Sequence, residues 1–278
     1  MALSGSEIPE PMAARVIAHA RAWFADQSHG AVAQRIAGTA FLIRIVSAVL
    51  AYGTQVALAR WMGSHEFGIF VYVWTWVMLI GGLADLGLAS AAQRFIPEYS
   101  ESGAFAKLRG YLSGSRWMAF GIATATALLC ALAIHLARGF LDDYTIVPLL
   151  LACVCLPVYG VMHVQDGIAR SFNWVNLALV PAYIVRQLVV VVLMAAAWLA
   201  GAPTDAVSAV IVAAASIWLT ALGQMLLLNR KLATRVESGA KEYDIKNWIA
   251  LSIPMFAVDS LYSMLMYVDV LVLKQFRS

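Results

Sequence analysis

ALARWMGSHEFGIFVYVWTWVMLIGGLADLGLASAAQRFIPEY, residues 57–99, decides the fold. It contains the end of one apolar helix, a short polar turn around Gly63 and Gly68, and a second apolar helix that carries a carboxylate, Asp85. It ends in a basic segment, where Pro97 is expected to stop the helix. The rest of the chain repeats this plan of apolar run, tight turn and apolar run.

Composition places the plan in a membrane. Of 278 residues, 62% are hydrophobic and 13% charged, and the mean hydropathy is +0.78. Soluble domains average about 45–50% apolar and about 25% charged residues. A span needs about 20 predominantly apolar residues, and seven stretches qualify: 36–59, 69–92, 114–137, 144–164, 175–200, 206–228 and 249–273. The fold class expected is all-α integral membrane, with about seven transmembrane helices and no soluble domain. Trp61, Tyr72, Trp117, Trp174 and Trp248 fall near span ends, as an interfacial aromatic belt requires.

Orientation follows from the basic residues. Thirteen Lys and Arg lie in the segments on the N-terminal side of the membrane and four (Arg60, Arg138, Lys274, Arg277) on the other. The positive-inside rule therefore puts the N-terminus in the cytoplasm. The same distribution accounts for the net charge of +3, so no nucleic-acid partner is needed. Residues 1–35 contain no apolar run long enough for a signal peptide. Met12, Val16, Ile17, Ala20, Trp23 and Phe24 recur there at helical spacing, which fits either a surface amphipathic helix or a short cytosolic one. Cys130, Cys153 and Cys155 lie in apolar runs and read as packing residues.

Ionisable residues inside a span cost about 2.5–3.5 kcal/mol each on insertion scales and mark function by default. Here they are Arg44, Asp85, Arg186, Asp259 and, nearer the far end, Asp269. Arg44 and Asp85 both lie about eight residues from the same side, about 12 Å deep at 1.5 Å per residue. Arg186 and Asp259 both fall near the midplane. One reading is two structural ion pairs. The other is a water-filled cavity in which the arginines bind an anion and the carboxylates support them or take a coupling cation. Ser47, Ala51, Thr54 and Gln55 continue the face of Arg44, and Asn176, Tyr183 and Gln187 lie close to that of Arg186. On the last span Asp259, Tyr262, Met266 and Asp269 share a face that suits Na⁺ or H⁺, although Asp269 is also placed to snorkel to the interface. His135 and His163 read as interfacial, and Asp166 with Arg170 as part of a turn. There is no phosphate-binding Gly-rich loop, no paired metal histidines and no nucleophile elbow. The chain is therefore expected not to be an enzyme and to have no cofactor beyond a coupling ion.

LARWMGSHEFGIF and GGLADLGLASAAQRFIPEY together resemble the first helix pair of bacterial polysaccharide-export flippases. These form the O-antigen and lipid-linked-oligosaccharide branch of the multidrug, oligosaccharidyl-lipid and polysaccharide exporter superfamily. The turn Leu58–Gly68, the LGL at Leu86–Leu88, and Arg94 with Pro97 and Glu98 carry the resemblance, and LSIPMFAVDSLYSMLMYVDVLVL is similar to the opening of the family's second lobe. The resemblance implies residues 36–248 as a first six-helix lobe and 249–278 as the first helix of a truncated second lobe, after a cytoplasmic segment 1–35. It implies a multi-pass protein of the bacterial inner membrane that exports an undecaprenyl-diphosphate-linked oligosaccharide for lipopolysaccharide synthesis; Arg44 and Arg186, which lie outside the motifs that carry the resemblance and are singled out by their depth, are the candidates for holding the diphosphate. Membrane lipid and other polysaccharide-assembly proteins are the implied partners. Competing expectations are a membrane-embedded polymerase or ligase, which the short outer turns disfavour, and a non-transporting scaffold.

Overall fold

The computed structural model describes residues 29–275, and within them every regular element is helical. The expected N-terminal amphipathic helix and the side chain of Asp269 lie outside the described residues. The first helix, α1, spans His29–Leu83, and its 55 residues would extend about 80 Å if straight. They do not, because Gly63 adopts φ 79, ψ 167, a conformation that side-chain-bearing residues avoid. Beyond it the chain turns back, so that Ser47 and Ala51 of the first arm line one cavity with Met78 and Gly82 of the second. The turn expected over 60–68 is thus a break at one glycine, with helix resuming at once.

A second interruption falls inside the next apolar run, which the sequence suggests is continuous. Residues Ala84–Gly87 form a turn held by Leu86 N–H to Leu83 O at 3.1 Å and Leu88 N–H to Asp85 O at 3.1 Å. Leu86 and Gly87 both have positive φ, 48° and 74°. Helix α2 then runs Leu88–Glu101 straight through Pro97. The expectation that Pro97 ends the helix fails because Phe95, Ile96 and Tyr99 on either side of it are buried in one core. Their packing outweighs the single hydrogen bond that proline removes.

The remaining helices are α3 (Phe105–Leu136), α4 (Asp143–Cys153), α5 (Leu156–Ser171), α6 (Val175–Leu199), α7 (Ala206–Ala233) and α8 (Ile245–Gln275). Among the described residues five helical stretches are long and apolar enough to cross a bilayer, or six if α4 and α5, bent by 45°, make one span. The stretch Ala37–Glu101, counted there as one, holds both of the first two apolar runs. The connections cluster at two ends. At one, Trp61 stacks on Trp198, His65 meets Tyr144, and Glu66 accepts the Ala206 N–H at 2.8 Å. At the other, Lys231 covers the Trp174 ring at 4.9 Å and the segment 237–244 lies along the start of α3. There Glu242 N–H donates to Ala106 O at 3.0 Å, Arg109 Nε donates to Ala240 O at 2.8 Å, and Lys107 Nζ pairs with Asp244 at 3.3 Å.

Each end has its own hydrophobic core. One gathers α1, α4, α5, α6 and α7 around Val73, Cys155 and Ile217; the other gathers α2, α3, α5 and α7 around Leu88, Tyr111 and Ile168. Trp248, expected in the interfacial belt, is completely buried in the second core. Its ring meets Tyr111 edge-on at 5.2 Å and its Nε1–H donates to Tyr99 Oη at 3.2 Å. This fastens the start of α8 to the lobe.

Candidate functional site

Most of the charge inside the helical body faces one cavity of about 620 Å³. Its walls come from both arms of α1, from α2, α5 and α6, and from α8. The break at Ala84–Gly87 shapes one wall. Asp85 is 4% exposed, and its Oδ2 accepts the Ala89 N–H at 2.9 Å. The carboxylate thus occupies the positive end of α2, where a negative charge is stabilised by the helix dipole. One turn on, Ser90 Oγ donates to Asp259 Oδ2 at 2.9 Å. Asp85 also interacts electrostatically with His163 and Asp259.

Arg186 reaches the cavity through a local irregularity in α6. Pro181 lies mid-helix, and the chain widens there to a π-helical turn over Pro181–Val185. The Arg186 N–H bonds to Pro181 O, five residues back. Such turns recur at functional sites. Arg186 Cζ lies 5.9 Å from the centroid of the Trp74 ring, and its buried Nη1 has no hydrogen-bond partner among the described residues. A desolvated guanidinium nitrogen without a partner is costly. A second cavity of about 390 Å³ continues toward the Gly63 end, past Thr54, Gln55 and Phe70, and shares Ala51, Met78, Arg186, Gln187 and Tyr267 with the first. Arg186 therefore stands where a polar chamber meets an aromatic one.

The depth pairing made from the sequence is not what the fold assembles. Arg44 is exposed, lines neither cavity, and makes no ion pair with Asp85; the ion pairs among the described residues join Arg94, Lys107, Glu98, Glu242 and Asp244. Depth counted at 1.5 Å per residue does not hold across the non-helical turn at Ala84–Gly87, and Asp85 faces Ser47 and Ala51 instead. Arg186 and Asp259 do share the cavity but are not bonded, since Asp259 is held by Ser90. Ser47, Ala51, Thr54, Gln55, Tyr183 and Gln187 line the two cavities as their helix faces suggest, and Asn176 does not.

Three residues read as peripheral in the sequence belong to this site. His163, Asp166 and Arg170 all line the cavity from α5. Asp166 is 7% exposed and accepts Gln224 Nε2–H at 2.6 Å. Gly167 lies between them, with no room for a side chain, because a Cβ there would run into the Ala89 backbone of α2. The signal was present: residues 163, 166, 167 and 170 follow i, i+3, i+4, i+7, a polar stripe on one helix face.

A sequence model described as polysaccharide biosynthesis protein matches residues 36–278. No curated protein and no solved structure matches the chain.

Proposed function

Because this chain belongs to the polysaccharide biosynthesis protein family, we propose that it takes part in flipping an undecaprenyl-diphosphate-linked oligosaccharide across the bacterial inner membrane. The single observation that carries this reading is the unpartnered Nη1 of Arg186 at the junction of two cavities. A guanidinium offers paired donors to phosphate oxygens and stays charged at any working pH. A diphosphate supplies the missing acceptor and leaves the sugar in the polar chamber beside Gln93, Asp166 and Tyr262.

The chain acts as a carrier without chemistry on its substrate. It makes seven passes, counting the two arms of α1 separately, and the excess of Lys and Arg places its N-terminus in the cytoplasm. Arg44, exposed one turn before Ser47 on α1, is a second guanidinium that an approaching diphosphate meets. Asp259, Asp85 and His163 form the titratable group through which a Na⁺ or H⁺ gradient acts, with Asp269 farther along α8.

Binding tests this directly. The full chain in lipid nanodiscs is titrated with undecaprenyl diphosphate, comparing wild type, Arg186→Lys and Arg186→Ala. Charge-assisted hydrogen bonds contribute about 1.5–3 kcal/mol, so Arg186→Ala should weaken binding about ten- to a hundredfold, with Arg186→Lys between. Equal affinity for Arg186→Ala and wild type would remove the basis of the reading.

A further inference from the structure

On the side of the lobe away from the central cavity, α3, α5 and α7 enclose a crevice of about 390 Å³. Its pattern is amphipathic along its length. Ser113, Arg116 and Asn229 form one end, and Trp117, Phe120, Trp218 and Leu222 form an apolar slot. Trp117 and Leu222 are 72% and 46% exposed, so the slot opens on the face that meets lipid. From Asn229 to Trp218 the slot follows eleven residues of α7, about 16 Å, the length of a long segment of acyl chain.

The polar end has an unused donor. Arg116 Nε–H donates to Leu112 O at 2.7 Å and Nη1–H to Asn229 Oδ1 at 2.6 Å. These two bonds hold the guanidinium plane in place, and Nη2 has no protein partner among the described residues. At the floor of the crevice Gln165 is 1% exposed, and neither its amide nitrogen nor its oxygen is hydrogen-bonded among the described residues. Buried amides are nearly always paired. At the same polar end Lys241 Nζ donates to Ser113 Oγ at 3.3 Å, which brings a second cation to the rim of the crevice.

We infer that this crevice binds an anionic phospholipid, with its phosphate on Arg116, an acyl chain in the slot beside Trp117 and Leu222, and its ester region over Gln165. The occupant is a resident bilayer lipid and not the transported one, because the crevice shares no lining residue with the central cavity. A lipid there bridges α3 to α7 and so braces the outside of the lobe.

The test uses the full purified chain in a neutral detergent, delipidated and then titrated with phosphatidylglycerol, phosphatidylcholine or undecaprenyl phosphate, with retained lipid read by native mass spectrometry. Both lipids offer a phosphodiester oxygen to Arg116, but phosphatidylcholine also brings a cationic choline toward the guanidinium, so phosphatidylglycerol should be retained better, by about tenfold. Arg116→Ala should erase the preference and Arg116→Lys keep part of it. Leu222→Trp, a lipid-facing change that leaves Arg116 and its two hydrogen bonds in place, should fill the slot and lower retention. Equal retention of the two lipids, preferential retention of undecaprenyl phosphate, or unchanged retention in Leu222→Trp would each overturn the assignment.

Discussion

Gly87→Ala is the sharpest probe of the broken second run. Gly87 has φ +74°, and a Cβ there would lie 2.6 Å from Ser252 O and 2.8 Å from Phe256 N. Holding an L-residue in the left-handed region costs about 1–2 kcal/mol. The clash adds to this because its partners are backbone atoms of α8, which cannot rotate away; forcing a methyl into a packed interface costs about 1–3 kcal/mol. Together these give about 2–5 kcal/mol, a thirtyfold or greater fall in the folded-to-unfolded ratio. Unfolding by SDS titration in mixed micelles, followed by tryptophan fluorescence, measures it. Gly121→Ala is the matched control: it lies within α3 with nothing within 4 Å of its Cβ position, and should gain about 0.5–1 kcal/mol from helix propensity. The reasoning is refuted if Gly87→Ala unfolds at the wild-type SDS fraction, or if Gly121→Ala loses as much.

Trp248→Ala should cost about 3–5 kcal/mol in the same titration, since it removes a wholly buried ring and the hydrogen bond to Tyr99, and should expose the start of α8 to protease. Gly167→Ala should destabilise the α2–α5 contact through its collision with Ala89, and an accompanying loss of undecaprenyl diphosphate binding would show that the same contact shapes the cavity. The 237–244 segment should respond to acid. Asp244 is held below its usual 3.8 chiefly by its hydrogen bond from Asn247, together with that from Lys107. A lowered folded pKa means the stabilisation is fully present above the unfolded value and is lost as pH falls through the folded one. The protection factors of the segment's amides, in which the pH dependence of intrinsic exchange is divided out, should therefore stay constant above about pH 5 and fall in strong acid, and Asp244→Asn should remove that dependence.

Hydrophobic run length and charge distribution made the class and most helix positions legible, because a bilayer leaves few alternatives to long apolar helices. What the sequence hid were departures from ideal helix. Gly63 reads as part of a loop because its neighbours Ser64, His65 and Glu66 are polar, yet they are helical. The turn at Ala84–Gly87 is composed of Ala, Asp, Leu and Gly, a composition that fits a span equally well. Gly87 lies close against the backbone of Ser252 and Phe256, far along the chain, an approach that no local sequence pattern displays. The candidate site suffered accordingly. Arg186 and Asp259 were found by being charged within a span, and both face the cavity. Arg44 and Asp85 were paired by a ruler that presumes unbroken helix. His163, Asp166 and Arg170 read as peripheral because the apolar run ends near residue 164, whereas α5 continues to Ser171.

The π turn before Arg186 also bears on how this span tolerates change. A π turn accommodates one residue more than the α-helical path, which advances everything after it by about 100° in angular phase. Deleting any one residue among 181–185 would leave an equally apolar span of nearly the same length, yet would rotate Arg186 away from the cavity wall. Membrane insertion would be blind to that change. The span thus carries two separable kinds of information: a composition that the bilayer reads, and a phase that only the interior of the lobe can read.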